Sequence, residues 1–300
     1  MATTPLLREP LFWPLIHRCI ACLVLLCCSF LCVAESTLWR ISKDGHELLI
    51  GGTIHLLSDA QYPLPEEFEK AYQQASRVVF ETDMVAFKSP DFMQVMLSHL
   101  LYQDEGKLAA RLHPDTLVRL TQSLKSKSLS PAQWLQFKPA MVSMQLTQIE
   151  LKRLGFNAPG VDQHYFERAT KDGKPSLALE SPEQQVAYLA SMGEGMEDKF
   201  ILYTLDEIDG LAEEMRVMLQ AWQTGDLNVL QSRYLVPMKS QYPAVYERLI
   251  MQRNHLWVPQ IESMLQEPST ELVLVGALHL VGEDGLLAAL KSRGYSVTPF

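Results

Sequence analysis

Two histidines stand in matching frames at opposite ends of the chain. The first frame is Glu47-Leu48-Leu49-Ile50-Gly51-Gly52-Thr53-Ile54-His55-Leu56. The second is Glu271-Leu272-Val273-Leu274-Val275-Gly276-Ala277-Leu278-His279-Leu280. Each is an apolar run, then Gly-x-x-His, then Leu. A third apolar run, Arg77–Phe80, closes on Glu81-Thr82-Asp83. Two imidazoles and a carboxylate are a ligand set for a divalent ion, with positions left for water. The same groups suit direct activation of water by an acid and a base. One Gly-x-x-His is common by chance, so the argument rests on its repetition after matching strands and on Glu81 closing a third.

The elements that must position these groups are strands. A buried strand delivers the chain to a sheet edge, Gly52 or Gly276 permits a tight turn or close backbone approach, and the histidine then projects at the carboxyl end. Short strands are expected at Leu38–Ser42, Glu47–Gly51, Arg77–Glu81, Ser176–Leu179, Glu271–Val275 and Ser296–Thr298, the first two joined by a turn at Lys43-Asp44-Gly45. The middle reads as helix over Pro65–Ala75, Asp91–Tyr102, Pro114–Lys127, Pro139–Leu154, Gln163–Lys171 and Pro182–Met192. A long helix is expected over Glu197–Thr224, another over Tyr246–Gln266 with a kink at Pro259, and a last over Glu283–Arg293. The fold class is therefore α/β: a mixed central sheet with a strand–Gly-x-x-His unit at each end and a large helical middle.

Residues 1–34 read as a signal peptide, leaving one domain over 35–300. Arg8 and Arg18 flank an uninterrupted apolar run from Cys19 to Ala34, 16 residues long. A membrane span needs roughly 20, and Val33-Ala34 ends in a small residue suited to cleavage. The expected location is periplasmic or secreted, with an uncleaved membrane anchor as the alternative. All five cysteines (Cys19, Cys22, Cys27, Cys28, Cys32) lie in this segment, so residues 35–300 form no disulfide and hold no thiolate site. The chain carries a net charge of −9, and losing the two arginines and one glutamate of residues 1–34 takes it to −10. With no basic cluster, nucleic acid is not an expected partner. A peptide or small-molecule substrate is. No Gly-x-Ser-x-Gly elbow, His-Glu-x-x-His, P-loop or dinucleotide fingerprint is present.

The chain resembles the TraB/PrgY/GumN family, whose animal relatives include the Tiki metalloproteases. The resemblance rests on Gly52-Thr53-Ile54-His55, Phe80-Glu81-Thr82-Asp83 and Gly276-Ala277-Leu278-His279. It continues in Gly160-Val161-Asp162, Lys174-Pro175, Leu179-Glu180, Gln184 and Arg253-Asn254. It implies a fold of the erythromycin esterase-like and ChaN-like type. From the Tiki branch it implies a manganese or cobalt site, with zinc as the alternative, at His55, His279 and Glu81 that cleaves peptides.

Further candidates carry alternatives. Asp162 and Glu180 could be ligands or could orient the histidines, yet Asp162 could simply cap the next helix and Glu180 serve likewise before Ser181-Pro182. Arg253, beside Asn254, could clamp a substrate carboxylate or steady Glu81, or form a surface ion pair. His46, His99, His113, His164 and His255 read as ordinary histidines. Trp222 reads as packing at a helix end. Met93, Met96, Met141, Met144, Met215 and Met218 read as core filling, or as the lining of an apolar groove. Three functions follow: a metal-assisted hydrolase or protease, a metal-free hydrolase using histidine and glutamate, and a non-catalytic binder of a peptide or small ligand.

Overall fold

The computed structural model describes residues 36–103 and 107–300. The segment read as a signal peptide lies outside them. The chain forms strands β1 (Leu38–Lys43), β2 (His46–Thr53), β3 (Leu56–Leu57), β4 (Arg77–Thr82), β5 (Ala158–Pro159), β6 (Ser176–Glu180), β7 (Glu271–Gly276) and β8 (Ser296–Pro299). Six make one sheet in the order β6-β4-β7-β2-β1-β8, and β3 pairs with β5 apart from it.

The hairpin β1–β2 turns through Asp44 and Gly45, both at positive φ (52° and 86°). Two such residues in succession suit the tight turn whose twist matches its strands. From β2 outward the sheet is parallel: β2 pairs with β7, β7 with β4, and β4 with β6. Consecutive residues Leu48–Thr53 are all buried. Successive side chains point to opposite faces, so both faces of β2 are covered. That is why β2, β4 and β7 read as unbroken apolar runs rather than alternating ones. Gly51 is part of this packing, since a Cβ there would lie 2.8 Å from Leu38 Cδ1 and 2.9 Å from Phe68 Cε1.

Around the sheet, Phe68, Tyr165 and Trp222 come from three helices, Phe68 stacking on Tyr165 and packing at a tilt against Trp222. Trp257 and Ile261 of the helix Arg253–Met264 are buried in the same core. The helical middle has a smaller core of its own, built from Leu108, Leu112, Leu120, Leu124, Val142, Leu146 and Ile201.

Two helices depart from expectation. The stretch Glu197–Thr224 is two helices, Glu197–Glu207 and Leu211–Gln223, parted by a tight turn at Ile208–Gly210. Gly210 costs helix stability and marks the break. The stretch Tyr246–Gln266 is irregular not at Pro259, which the helix Arg253–Met264 absorbs, but at a π-helical turn over Glu247–Gln252. Such turns gather at functional sites, and this one delivers Arg253. Of the methionines read as core filling, only Met215 is buried, and Met93 is exposed.

Candidate active site

Four parallel strands each bring one group to the carboxyl edge of the sheet. His55 follows β2, Glu81 lies near the end of β4, Glu180 ends β6, and His279 follows β7. Register aligns them: Thr53 sits opposite Gly276, and Thr82 opposite Glu180.

Arg253 holds the set together. Its Nη2 donates to Glu81 Oε2 (2.5 Å) and Glu180 Oε1 (2.7 Å), and its Nε donates to Glu180 Oε2 (3.0 Å). Its Nη1 reaches His279 Nε2 at 3.0 Å, and its guanidinium lies 4.5 Å over the Trp257 ring. Arg253, Glu81, Glu180 and His279 are all buried. The surface ion pair considered for Arg253 is thus a buried one, and the arginine steadies Glu81. Glu180 does not cap the helix after it, because Ser181 and Gln184 form that cap between themselves.

Asn254 fixes the state of His279. Its Nδ2 donates to the His279 carbonyl (3.1 Å) and the Asp284 carbonyl (2.8 Å), which leaves Oδ1 facing His279 Nδ1 at 2.7 Å. An amide oxygen only accepts, so Nδ1 carries the proton and Nε2 accepts from Arg253. His279 is therefore neutral. Burial first, then Arg253, pull it down to about 3 against the pull of Glu81. Glu81 stays ionised. Burial pushes its carboxyl up, but Arg253, the raised His55 and the Gly276 N–H (2.6 Å) outweigh it and leave it at about 2. Glu180 is raised by burial despite its arginine.

His55 is the opposite case. Its side chain is 65% exposed at the mouth of the site. Its Nδ1 lies 3.2 Å from Asp162 Oδ2, and that carboxylate, outweighing desolvation, raises the imidazole to about 9. Asp162 is not the cap expected of it: Gly160 takes that place and Asp162 sits in the first turn of the helix Val161–Asp172. Gly160 was not singled out as a site residue, yet a Cβ there would lie 2.3 Å from the His55 carbonyl carbon. Only glycine lets the Asp162 helix come so close. Gln185, whose Nε2 donates to Glu81 Oε2 (3.2 Å), was also missed; nothing in its sequence context sets it apart.

The glycines of the two frames work locally. Gly52 lets β2 touch the turn after β7, a Cβ there standing 3.0 Å from Ala277 Cα. Its carbonyl accepts from Trp222 Nε1 at 2.7 Å. Gly276 opens the centre: a Cβ would lie 3.2 Å from Glu81 Oε1 and 4.0 Å from His55 Nε2. Cavities of about 350 and 370 Å³ flank this point and share Thr53, His55, Glu81, Leu189 and Arg253 as walls. The second is also lined by Thr82 and Asp162. Thr53 Oγ1, Thr82 Oγ1 and Asp162 Oδ1 are buried without a partner. Buried polar atoms seek one. His164, close to Asp162 in sequence, instead packs against Tyr62 and Tyr165.

A family model described as TraB/PrgY/gumN matches residues 37–299. The chain belongs to the TraB/PrgY/gumN family. Within it, the chain is 26% identical to the protein YbaP of Shigella flexneri, described as uncharacterized, over 248 residues, 82% of this chain and 88% of the relative. YbaP of Escherichia coli (strain K12) is likewise 26% identical, covering 80% and 86%. The zebrafish (Danio rerio) protein named metalloprotease TIKI1 is 21% identical, covering 88% of this chain and 63% of that protein. No solved structure matches the chain. This TraB-family chain has a mixed six-stranded sheet and a helical middle, as expected from its sequence.

A divalent ion does not fit the donors as they stand. Both nitrogens of His279 are engaged, and Arg253 and Gln185 together hold Glu81 Oε2, which leaves only Oε1, with its single Gly276 N–H, open beside His55. The fixed charge of Arg253 stands where a second cation would have to come. Among the described residues, no group of three or more His, Cys, Asp or Glu is disposed to hold a metal.

The buried charges set a pH window for stability. His279 is held below its ordinary 6.5, so its contribution is full above pH 6.5 and is lost as pH falls towards 3. Glu81 adds a loss below 4.5. His55 is raised, so its contribution is full below 6.5 and fades as pH rises through about 9. Urea midpoints should therefore be highest near pH 6.5–7 and fall on both sides. His279→Gln should flatten the fall between pH 6.5 and 4.5; an unchanged acid limb would contradict a buried neutral His279.

Proposed function

We propose that the chain is a hydrolase that activates water with His55. The observation that carries this is the shared space beside Gly276, which meets His55 Nε2 on one side and Glu81 Oε1 on the other. With Nδ1 donating to Asp162, neutral His55 presents its Nε2 lone pair to that space. A water there donates one proton to Nε2 and the other to Glu81. Of the two, His55 is the base, since a carboxylate held near 2 accepts protons poorly. Glu81, locked by Arg253, orients the water. The water oxygen attacks the carbonyl carbon of an ester or amide, and its proton passes to Nε2. The imidazolium then returns that proton to the leaving group. Thr53, whose hydroxyl is unpartnered and which lines the same cavity, would donate to the carbonyl oxygen as charge builds there.

A second reading is supported by the likeness to a protein named as a metalloprotease. It requires Arg253 to leave His279 and Glu81 before a metal could reach them. Ester and peptide panels run on residues 35–300 separate the readings. Turnover that survives exhaustive chelation and is lost in His55→Ala supports the first. Turnover absent after chelation and restored by manganese or cobalt supports the second. Saturable binding of an intact peptide with no turnover under any metal returns the chain to a binding role. If it is exported, as its N-terminus implies, the substrate lies in the periplasm or outside the cell.

Gly276→Ala tests the shared space itself. Its backbone (φ −50°, ψ 133°) suits alanine, so the fold should survive with a melting temperature within a few degrees. The new methyl would crowd Glu81 Oε1, and turnover should fall at least about tenfold, the worth of some 1.4 kcal/mol.

A further inference from the structure

The cavity of about 350 Å³ on the His279 side has a polar floor and an apolar vault. Its floor is the site itself: Thr53, His55, Glu81, Arg253, Gly276 and His279. Every other side chain around it is apolar. Met215 and Met218 come from the helix Leu211–Gln223, Leu230 and Met238 from the segments after it, and Leu249 and Ile250 from the π-helical turn before Arg253. A polar group entering this vault would lose its hydrogen bonds with water and find none in return. The space is more than twice the roughly 150 Å³ cavity that accepts benzene. Unbranched methionine side chains adapt to a flexible occupant. The cavity on the other side of the same floor also has apolar walls, among them Phe80, Met84, Phe87 and Met144, but it alone adds Thr82 and Asp162, whose buried oxygens, like that of Thr53 in the shared floor, lack partners. The two flanks therefore differ in that one offers unpartnered oxygens beyond the floor and the other offers none.

We infer that the substrate is a medium-chain acyl ester or amide of a polar alcohol or amine, its aliphatic chain in the methionine-lined vault and its polar half against Thr53, Thr82 and Asp162. This rests on the hydrolase reading for the bond cleaved. Water adds to the acyl carbon, the bond to the alcohol or amine breaks, and the leaving group takes the proton. The acyl chain departs as a carboxylic acid, which gives the second of the water's two protons to solvent and leaves as a carboxylate. The vault, unlike the reaction, is tested by binding alone.

Octanoate and acetate are titrated calorimetrically into the protein, and glycerol monooctanoate and monoacetate are offered as substrates. Each buried methylene is worth roughly fourfold in affinity, so burial of only three makes octanoate bind on the order of 50-fold more tightly than acetate. Met218→Trp fills the vault and should weaken octanoate binding at least about tenfold, while Met93→Trp, exposed and outside both cavities, should not. Met238→Trp, from a different helix, replaces Met218→Trp if thermal melting shows that variant unfolded. Equal binding of the two acids, or octanoate binding unmoved in a folded vault variant, overturns the inference. So does octanoate binding accompanied by turnover of leucine-containing peptides but not of the octanoyl ester, which would place an amino-acid side chain in the vault. Turnover of monoacetate in preference to monooctanoate overturns the acyl class and leaves the hydrolase reading standing. Saturable octanoate binding, lost in Met218→Trp, with no ester, amide or peptide hydrolysed supports the vault and sinks the hydrolase reading.

Discussion

Arg253→Met should destabilise the fold by about 3–5 kcal/mol, the typical result of removing one partner of a buried ion pair. Arg253 meets Glu81 and Glu180 together, and both carboxylates are buried. Without the guanidinium they face each other across β4 and β6 with no counter-charge. Lysine should rescue little, because Glu180 receives two separate N–H groups of the planar fork and a single ammonium does not reproduce that geometry. Adding Glu180→Gln to Arg253→Met should restore part of the loss by removing one of the stranded charges. Urea unfolding at pH 7 reads all three variants. A loss below about 1 kcal/mol in Arg253→Met would mean that the pair is wetter and weaker than its burial implies.

His55→Ala should lower kcat/KM by roughly 10²–10⁴, the usual contribution of a positioned base, while the protein stays folded and the alkaline fall of the urea midpoint, which comes from the raised His55, disappears. The pH profile carries the sign. Only neutral His55 accepts a proton, so kcat/KM should rise about tenfold per pH unit below about 9 and level off above it. Asp162→Asn removes the carboxylate that raises His55 and should move this limb down towards 6.5. It should also lower the plateau, as the ring loses its orienting partner. A profile flat from pH 6 to 10 would remove His55 from the proton-transfer step.

The sheet and its covered faces were legible because parallel strands are buried on both sides and announce themselves as apolar runs such as Leu48–Ile50 and Leu272–Val275. The repeated Gly-x-x-His frame was legible for the same reason: β2 and β7 are neighbours, with Thr53 opposite Gly276. What periodicity could not carry was the pairing across long separations. Arg253 is 172 residues from Glu81 and 73 from Glu180, and no local pattern distinguishes a buried arginine from an exposed one on an amphipathic helix. The asymmetry between the histidines was equally hidden. The two share a motif, yet Asn254 and Arg253 make one buried and neutral while Asp162 lifts the other. Gly160 was legible only as part of a family pattern, because its role is a backbone contact with His55. The break at Gly210 was missed since the apolar period runs on through it.

Everything proposed for catalysis turns on Asp162 making His55 the titrating group that faces Glu81. The most direct test is the titration of the His55 ring, followed by NMR from pH 5 to 10 in the wild type and in Asp162→Asn, a measurement that needs no substrate. A midpoint near 9 is expected in the wild type, with Nδ1 protonated throughout, and a fall towards 6.5 in the variant. A wild-type midpoint near 6.5, or one that Asp162→Asn leaves in place, would contradict it.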